Sequence, residues 1–314
     1  MPGQSSVSLS GPVFLSLSAD DVSRFLQSAG VAVAPESITV EPRDERWLAH
    51  LPGDRVAWFP RSEEGRLRLA NERATLKAIA RRCTFRVPRI VCEGEGWDLR
   101  EIVPGIVDPW RILARLKADH ALAGRIGEIT AAFLIEQHTR IKRDDLASTL
   151  PAVPSWPPPR DWIMERLPSV TDDVALIARL AAAFDECADV KVKPEDQVLV
   201  HGDLGLHNCA YDPVTLLPRG VFDYVDAAWA DRHIDFRYCI LDIPGEPLLA
   251  TALAGYERAL GLNLDRRRVF LHNALCAAGF LANRSGVAPE TNWCGRTLAG
   301  DLEWTANALA RLAD

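Results

Sequence analysis

A chain of 314 residues, 48% hydrophobic and 25% charged, can bury a large core and could hold two lobes; its formal charge of −7 speaks against a nucleic-acid binder and permits a cationic partner. No apolar run reaches membrane-spanning length, and Ser8–Leu17 lacks the basic start of a signal peptide. Seven cysteines without a Cys-x-x-Cys pair fit reduced thiols in a cytoplasm better than a disulfide framework or a zinc site. Met1–Gly11 is Ser/Gly-rich and expected to be loose. Ser18-Ala-Asp-Asp predicts a helix start that runs through Val22, Phe25 and Leu26 to Gly30. Ser37–Val40, Trp47–Leu51 and Val56–Phe59 are predicted strands, with a turn at Pro52-Gly53-Asp54. Leu67, Leu69, Leu76 and Ile79 predict a helix over 63–82, on which Glu72 reads as a surface acid paired with Arg68. Arg86–Cys92 and Leu99–Val103 are the next strands, around a turn at Gly94–Gly96.

From Trp110 the pattern turns helical. Leu122, Ile126, Ile129, Phe133 and Gln137 share one face of a long helix, and His138 near its end is expected to be a hydrogen-bonded core histidine. Ala147–Pro159 reads as an extended loop, and Asp173–Val190 as another helix. Helical periodicity returns over Leu248–Leu260, Leu264–Leu281 and Arg296–Leu312.

Between these helical regions lies the stretch that carries chemistry, VLVHGDLGLHNCAYDPVTLLPRGVFDYVDAAWADRHID, from Val198 to Asp235. An apolar strand ends on His201-Gly202-Asp203, Asn208 follows five residues later, and a hairpin through Cys209–Tyr211 and Arg219–Phe222 delivers Asp223. One loop and one hairpin thus bring Asp203, Asn208 and Asp223 to one edge. Phosphoryl transfer uses such a set: a carboxylate that orients the attacking hydroxyl and takes its proton, and an amide oxygen and a second carboxylate that hold Mg²⁺ on the nucleotide phosphates.

HGDLGLHN, followed by VFDYVDA and by the acidic pair Asp231-x-x-x-Asp235, resembles the aminoglycoside phosphotransferase family and its choline-kinase-like kin. The resemblance implies a bilobal, protein-kinase-like α+β fold, with a β-rich N-lobe over 1–102 and a mostly helical C-lobe over 103–314. It implies transfer of the γ-phosphate of ATP or GTP to a hydroxyl of a small molecule, an aminoglycoside-like antibiotic first among them. Asp203 would be the catalytic base, Asn208 and Asp223 the Mg²⁺ ligands, and Asp235 a brace for the loop through backbone N–H groups. On the nucleotide side it implies Glu72, Arg61 and backbone groups around Glu101 and Val103; on the acceptor side, Asp226, Asp231, Asp242 and Glu246. No nucleic-acid or membrane partner is implied. Asp301, Glu303, Trp229, Trp293 and Trp304 are further candidates for the acceptor wall, or ordinary surface acids and core aromatics. A metabolite kinase and a kinase-like binding protein without turnover are the alternatives.

One departure stands out. Where the family carries Lys or Arg just before Phe-Pro, this chain has Trp58 in VAWFPR, and no glycine lies between Val40 and Leu51. The expectation is a weakened phosphate grip, with Trp58 either in the cleft beside Glu72 or buried against the Glu72 helix. Glu72 should then pair elsewhere, with Arg61 or an arginine of its own helix.

Overall fold

The computed structural model describes residues 11–313. Of the stretch expected to be loose, all but Gly11 lies outside the described residues. Helix α1 (Ala19–Ser28) starts at a reciprocal cap: the Asp21 N–H donates to the Ser18 hydroxyl, and the Asp21 carboxylate accepts from the Ser18 N–H at 3.0 Å. Its Val22 and Leu26 are buried against a five-stranded antiparallel sheet. The strands are β1 (Thr39–Arg43), β2 (Arg46–Leu51), β3 (Arg55–Pro60), β4 (Arg89–Gly94) and β5 (Trp97–Glu101), in the order β1-β2-β3-β5-β4. Phe14, Phe59 and Trp97 fill this face, with ring centroids 5.2 and 5.8 Å apart in succession.

Helix α2 (Glu63–Arg82) joins β3 to β4 over the range its periodicity predicts. It packs in two directions. Leu69 meets Leu48 and Trp58 under the sheet, whereas Leu76 and Ile79 belong to the core of the larger, helical lobe.

That lobe contains α3 (Pro109–Ala118), α4 (His120–Arg140), α5 (Arg160–Arg166), α6 (Val174–Asp189), α7 (Pro247–Leu260), α8 (Arg266–Ala282) and α9 (Leu298–Ala310). Ile126 and Leu134 of α4 pack with Leu253 and Tyr256 of α7, and a second core joins α5, α6, α8 and α9 through Ile163, Leu180, Leu275 and Leu309. Two short ladders lie between them: β6 (Gln197–Val200) with β9 (Ala228–Asp231), and β7 (Cys209–Tyr211) with β8 (Pro218–Val221).

Strand β9 and helix α5 are additions to what the pattern predicts. Ala-Trp-Ala-Asp has weak strand propensity and becomes a strand because β6 offers it a partner. Helix α5 has seven residues, too few to show a period. No helix among the described residues is long and apolar enough to cross a membrane, and all seven thiols are free.

Candidate active site

The turn after β6 is fixed by its own backbone. Gly202 has φ +82°, and a Cβ there would lie 2.3 Å from the Asp226 carbonyl oxygen, so only glycine fits. The fully buried Asp235 carboxylate accepts the His201 N–H at 2.9 Å and the Gly202 N–H at 3.0 Å, and also takes His138 Nε2 at 3.1 Å and Gln137 Nε2 at 3.2 Å. The other His138 nitrogen, Nδ1, meets the Tyr256 hydroxyl at 2.9 Å, which accepts from Arg232 at 3.1 Å. Burial pushes the His138 pKa down despite Asp235, so the ring is held neutral, with Nε2 donating. His201 ties the turn from the inside: its Nδ1 accepts the Asp203 N–H at 3.2 Å and its Nε2 donates to the Phe222 carbonyl at 3.0 Å.

Asp203 stands on this turn. Its Oδ2 accepts from Asn208 Nδ2 at 2.9 Å and from His207 Nε2 at 3.0 Å. Among the described residues no side chain donates to Oδ1, which is therefore free to meet an incoming hydroxyl. Burial raises the Asp203 pKa, but the hydrogen bond and charge of His207, aided by Arg237 and His201, outweigh it and leave it below the usual aspartate value. Asp203 is a carboxylate at neutral pH, in the state required of a base.

Asn208 also donates to the Asp203 backbone carbonyl, at 2.8 Å. Spending its NH₂ group on Asp203 leaves the amide oxygen available to a cation. The Phe222 N–H donates to the Asn208 carbonyl at 3.0 Å, which sets Asp223 beside Asn208 at the end of the β7–β8 hairpin. Asp223 is left-handed, with φ 64° and ψ 59°, a conformation that Asp tolerates better than most residues. Asp203, Asn208 and Asp223 are thus assembled by local chain geometry. Hard oxygen donors of this kind fit a magnesium ion. In the structure the cation beside Asp223 is a guanidinium: Arg46 Nη1 lies 3.0 Å from Oδ1 and Nη2 3.1 Å from each oxygen, with Arg43 at 3.9 Å. Burial raises the Asp223 pKa, and Arg46 and Arg43 more than reverse it.

Glu72 is 1% exposed and joins three elements. It pairs with Arg100 of β5 at 2.7 Å and accepts the Tyr224 N–H at 3.1 Å. Its partner is therefore neither Arg61 nor an arginine of its own helix. Arg61 donates to the Asp44 carbonyl at 2.9 Å and stacks 4.9 Å over Trp47. Arg100 also binds Asp98, at 2.9 Å. Trp58 is 2% exposed, packed with Leu48 and Leu69, and lies between the Arg46 and Arg100 guanidiniums, 5.6 and 5.9 Å from its ring. This is the buried alternative, and the cleft position for Trp58 is set aside. Trp58→Lys would place a third cation between two arginines. It is expected to lower the melting temperature steeply without tightening nucleotide binding, as thermal melts and calorimetry on the same sample would report.

The remaining sequence candidates separate. Glu101 pairs with Arg89 at the surface at 2.9 Å, Val103 is buried, and between them the Ile102 N–H donates to the Asp54 carbonyl at 3.0 Å. Asp226 takes a hydrogen bond from Ser155; burial, with Asp203 and Asp223 nearby, raises its pKa. Asp231 sits at the far end of the β6–β9 ladder from His201, held by His233 at 2.6 Å and Arg268 at 2.7 Å. Asp242 and Glu246 are both paired with Arg311, and Asp301 lies between Arg284 and Arg296, each at 2.6 Å. Glu303 is exposed on α9. Beyond the catalytic turn stands an aromatic group: the Phe280 ring centroid is 4.9 Å from Trp156, 5.5 Å from Trp293 and 5.4 Å from Trp304. Trp156 reaches Cys276 Sγ at 3.1 Å, Cys276 meets the Tyr238 hydroxyl at 3.0 Å, and the Tyr238 ring is 5.5 Å from His207. Trp229 lies elsewhere, under Arg143.

The model of the phosphotransferase enzyme family matches residues 41–270. Among solved structures, the GDP and kanamycin complex of APH(2″)-IIIa is 19% identical, covering 93% of this chain and 96% of that one at a TM-score of 0.64. ADP-bound APH(2″)-Ib is 14% identical, covering 93% and 97% at a TM-score of 0.59. The apoenzyme of macrolide 2′-phosphotransferase MphH from Brachybacterium faecium is 20% identical, covering 92% and 98% at a TM-score of 0.59. No curated protein sequence matches. The bilobal, protein-kinase-like α+β fold is shared with these structures.

Proposed function

Because the chain belongs to the phosphotransferase enzyme family, we propose that it moves the γ-phosphate of ATP or GTP to a hydroxyl of a small molecule. The observation that carries this reading is the Asp203 carboxylate, ionised and gripped on one oxygen by Asn208 and His207 while the other stays open. In this reading Asp203 accepts the hydroxyl proton as the oxygen attacks phosphorus. The Asn208 amide oxygen and Asp223 would hold Mg²⁺, which when bound neutralises phosphate charge. The Asp235 network holds the turn so that Asp203 keeps its aim. Backbone groups around Glu101 and Val103 are the proposed base-reading segment, the Ile102 N–H itself being held by the Asp54 carbonyl, and the lobes divide near Ile102.

The acceptor side favours a modification of the amino-sugar expectation. Several acids that would attract a polycation are tied to this chain's own arginines: Asp242 and Glu246 to the single Arg311, and Asp301 to Arg284 and Arg296, leaving Asp226 and Glu303 without an arginine partner among the described residues. The path from His207 through Tyr238 and Cys276 leads instead to Trp156, Phe280, Trp293 and Trp304. Such a wall suits a hydroxyl carried on a large, weakly charged scaffold with an apolar face. A transfer screen with labelled ATP and GTP over macrolides, aminoglycosides and amino alcohols tests both parts. Phosphorylation confined to polycationic aminoglycosides would refute the acceptor reading, and the absence of any Mg²⁺-dependent nucleotide binding would refute the enzyme.

Asp223→Ala is expected to abolish the gain in nucleotide affinity that Mg²⁺ gives the parent, while affinity in EDTA does not fall. Equal losses in the two conditions by calorimetry would speak against Asp223 as a metal ligand.

A further inference from the structure

The turn between β1 and β2 is the two-residue Asp44-Glu45, closed by the pair Arg43↔Arg46. It is pinned down at its tip. The Arg61 N–H donates to the Glu45 carbonyl at 2.8 Å, Arg61 Nη1 to the Asp44 carbonyl at 2.9 Å, and the Ser62 hydroxyl to the Glu45 carboxylate. Gly65 permits this approach, since a Cβ there would lie 2.1 Å from the Glu45 carbonyl oxygen. A hairpin held against the start of α2 delivers the Arg46 side chain across the cleft to Asp223.

Two guanidiniums flank Trp58, and they are differently employed. Arg100 is matched by two carboxylates, Glu72 and Asp98. Arg46, 6% exposed, has direct contact with one carboxylate, Asp223. That carboxylate is the one the proposed reaction needs for its metal. Resting on the phosphotransferase reading, we propose that Arg46, with Arg43 at the rim, is the phosphate-gripping cation of this chain, and that it exchanges Asp223 for the donor's phosphate oxygens.

The exchange balances charge. Before the donor arrives, Arg46 and Asp223 neutralise each other, which avoids the cost of an unpaired buried guanidinium. Afterwards Arg46 faces phosphate and Asp223 faces the metal, each again with an opposite charge. Arginine suits the task because its planar fork engages two phosphate oxygens at once, and the apolar ring of Trp58 behind it keeps water from weakening the contact. Phosphate and metal should therefore favour each other's binding by the same factor, because each frees what the other needs.

Calorimetry on the full chain tests this, with ATP, GTP, inorganic tripolyphosphate and the two free nucleosides as probes, in Mg²⁺ and in EDTA. Arg46→Gln is expected to weaken triphosphate and tripolyphosphate binding about tenfold or more and to leave nucleoside binding unchanged. Arg46→Lys should recover part of the loss. If Arg46→Gln binds Mg²⁺–nucleotide as tightly as the parent, or more tightly, Arg46 merely blocks Asp223 and the proposal fails. Asp223→Asn gives an independent measure should Arg46→Gln not fold: with its competitor weakened, Arg46 should bind tripolyphosphate in EDTA more tightly than in the parent, and an unchanged affinity overturns the exchange. A parent protein that binds none of these probes overturns the phosphotransferase reading and this one together.

Discussion

Asp203→Asn is expected to lower turnover by about 10²–10⁴-fold, the usual contribution of a positioned base, with little change in melting temperature or nucleotide affinity. The geometry explains why the fold should survive. Both donors to Asp203, Asn208 Nδ2 and His207 Nε2, reach Oδ2, so an amide oxygen in that place keeps them. The new NH₂ group then occupies the Oδ1 position, where a proton must be accepted, and an amide cannot accept one. Steady-state rates and nucleotide affinities measured on one preparation decide the matter. Turnover of an identified acceptor at the parental rate would remove Asp203 from the mechanism.

Asp235→Ala is expected to cost about 3–5 kcal/mol of stability and to take activity with it. Four buried donors converge on this carboxylate: the His201 and Gly202 N–H groups, His138 Nε2 and Gln137 Nε2. Removing it leaves the His201 and Gly202 N–H groups and His138 Nε2 without this acceptor, while Gln137 Nε2 keeps the Leu199 carbonyl at 2.9 Å, and an interior polar group stripped of its partner costs its full desolvation penalty. The turn that aims Asp203 loses its anchor as well. Urea titration of parent and variant gives the stability difference. A loss under about 1 kcal/mol with activity retained would show that the turn is held by other contacts.

The parts of this site that the sequence discloses are those built by near neighbours. Asp203 and Asn208 are separated by one short loop, and a hairpin carries Asp223 back to them, so the spacing alone places all three. The range of α2 is legible for a similar reason, since a helix buried on one side must repeat its apolar residues. Long-range pairings leave no such trace. Arg46 meets Asp223 across a separation of 177 residues, and nothing in PRDERWLAH distinguishes it from a surface arginine. The sequence points Glu72 to Arg61 or to an arginine of its own helix; it pairs instead with Arg100 on β5, because β5 lies next to β3 in the sheet though not in the chain. Asp231 and Asp235 look alike as an acidic pair, yet they stand apart: one ends strand β9 and the other turns inward under the catalytic loop.

The way α2 is seated bears on how such a protein could be controlled. A regulatory helix must have two resting places of similar energy. This one shares Leu76 and Ile79 with the core of the larger lobe, sends Leu69 under the sheet, and through Glu72 holds both Arg100 of β5 and the backbone of the turn after Asp223. Swinging it outward would expose apolar surface in two places and strand a buried acid. The helix thus ties the sheet, the catalytic turn and the larger lobe into one packed unit.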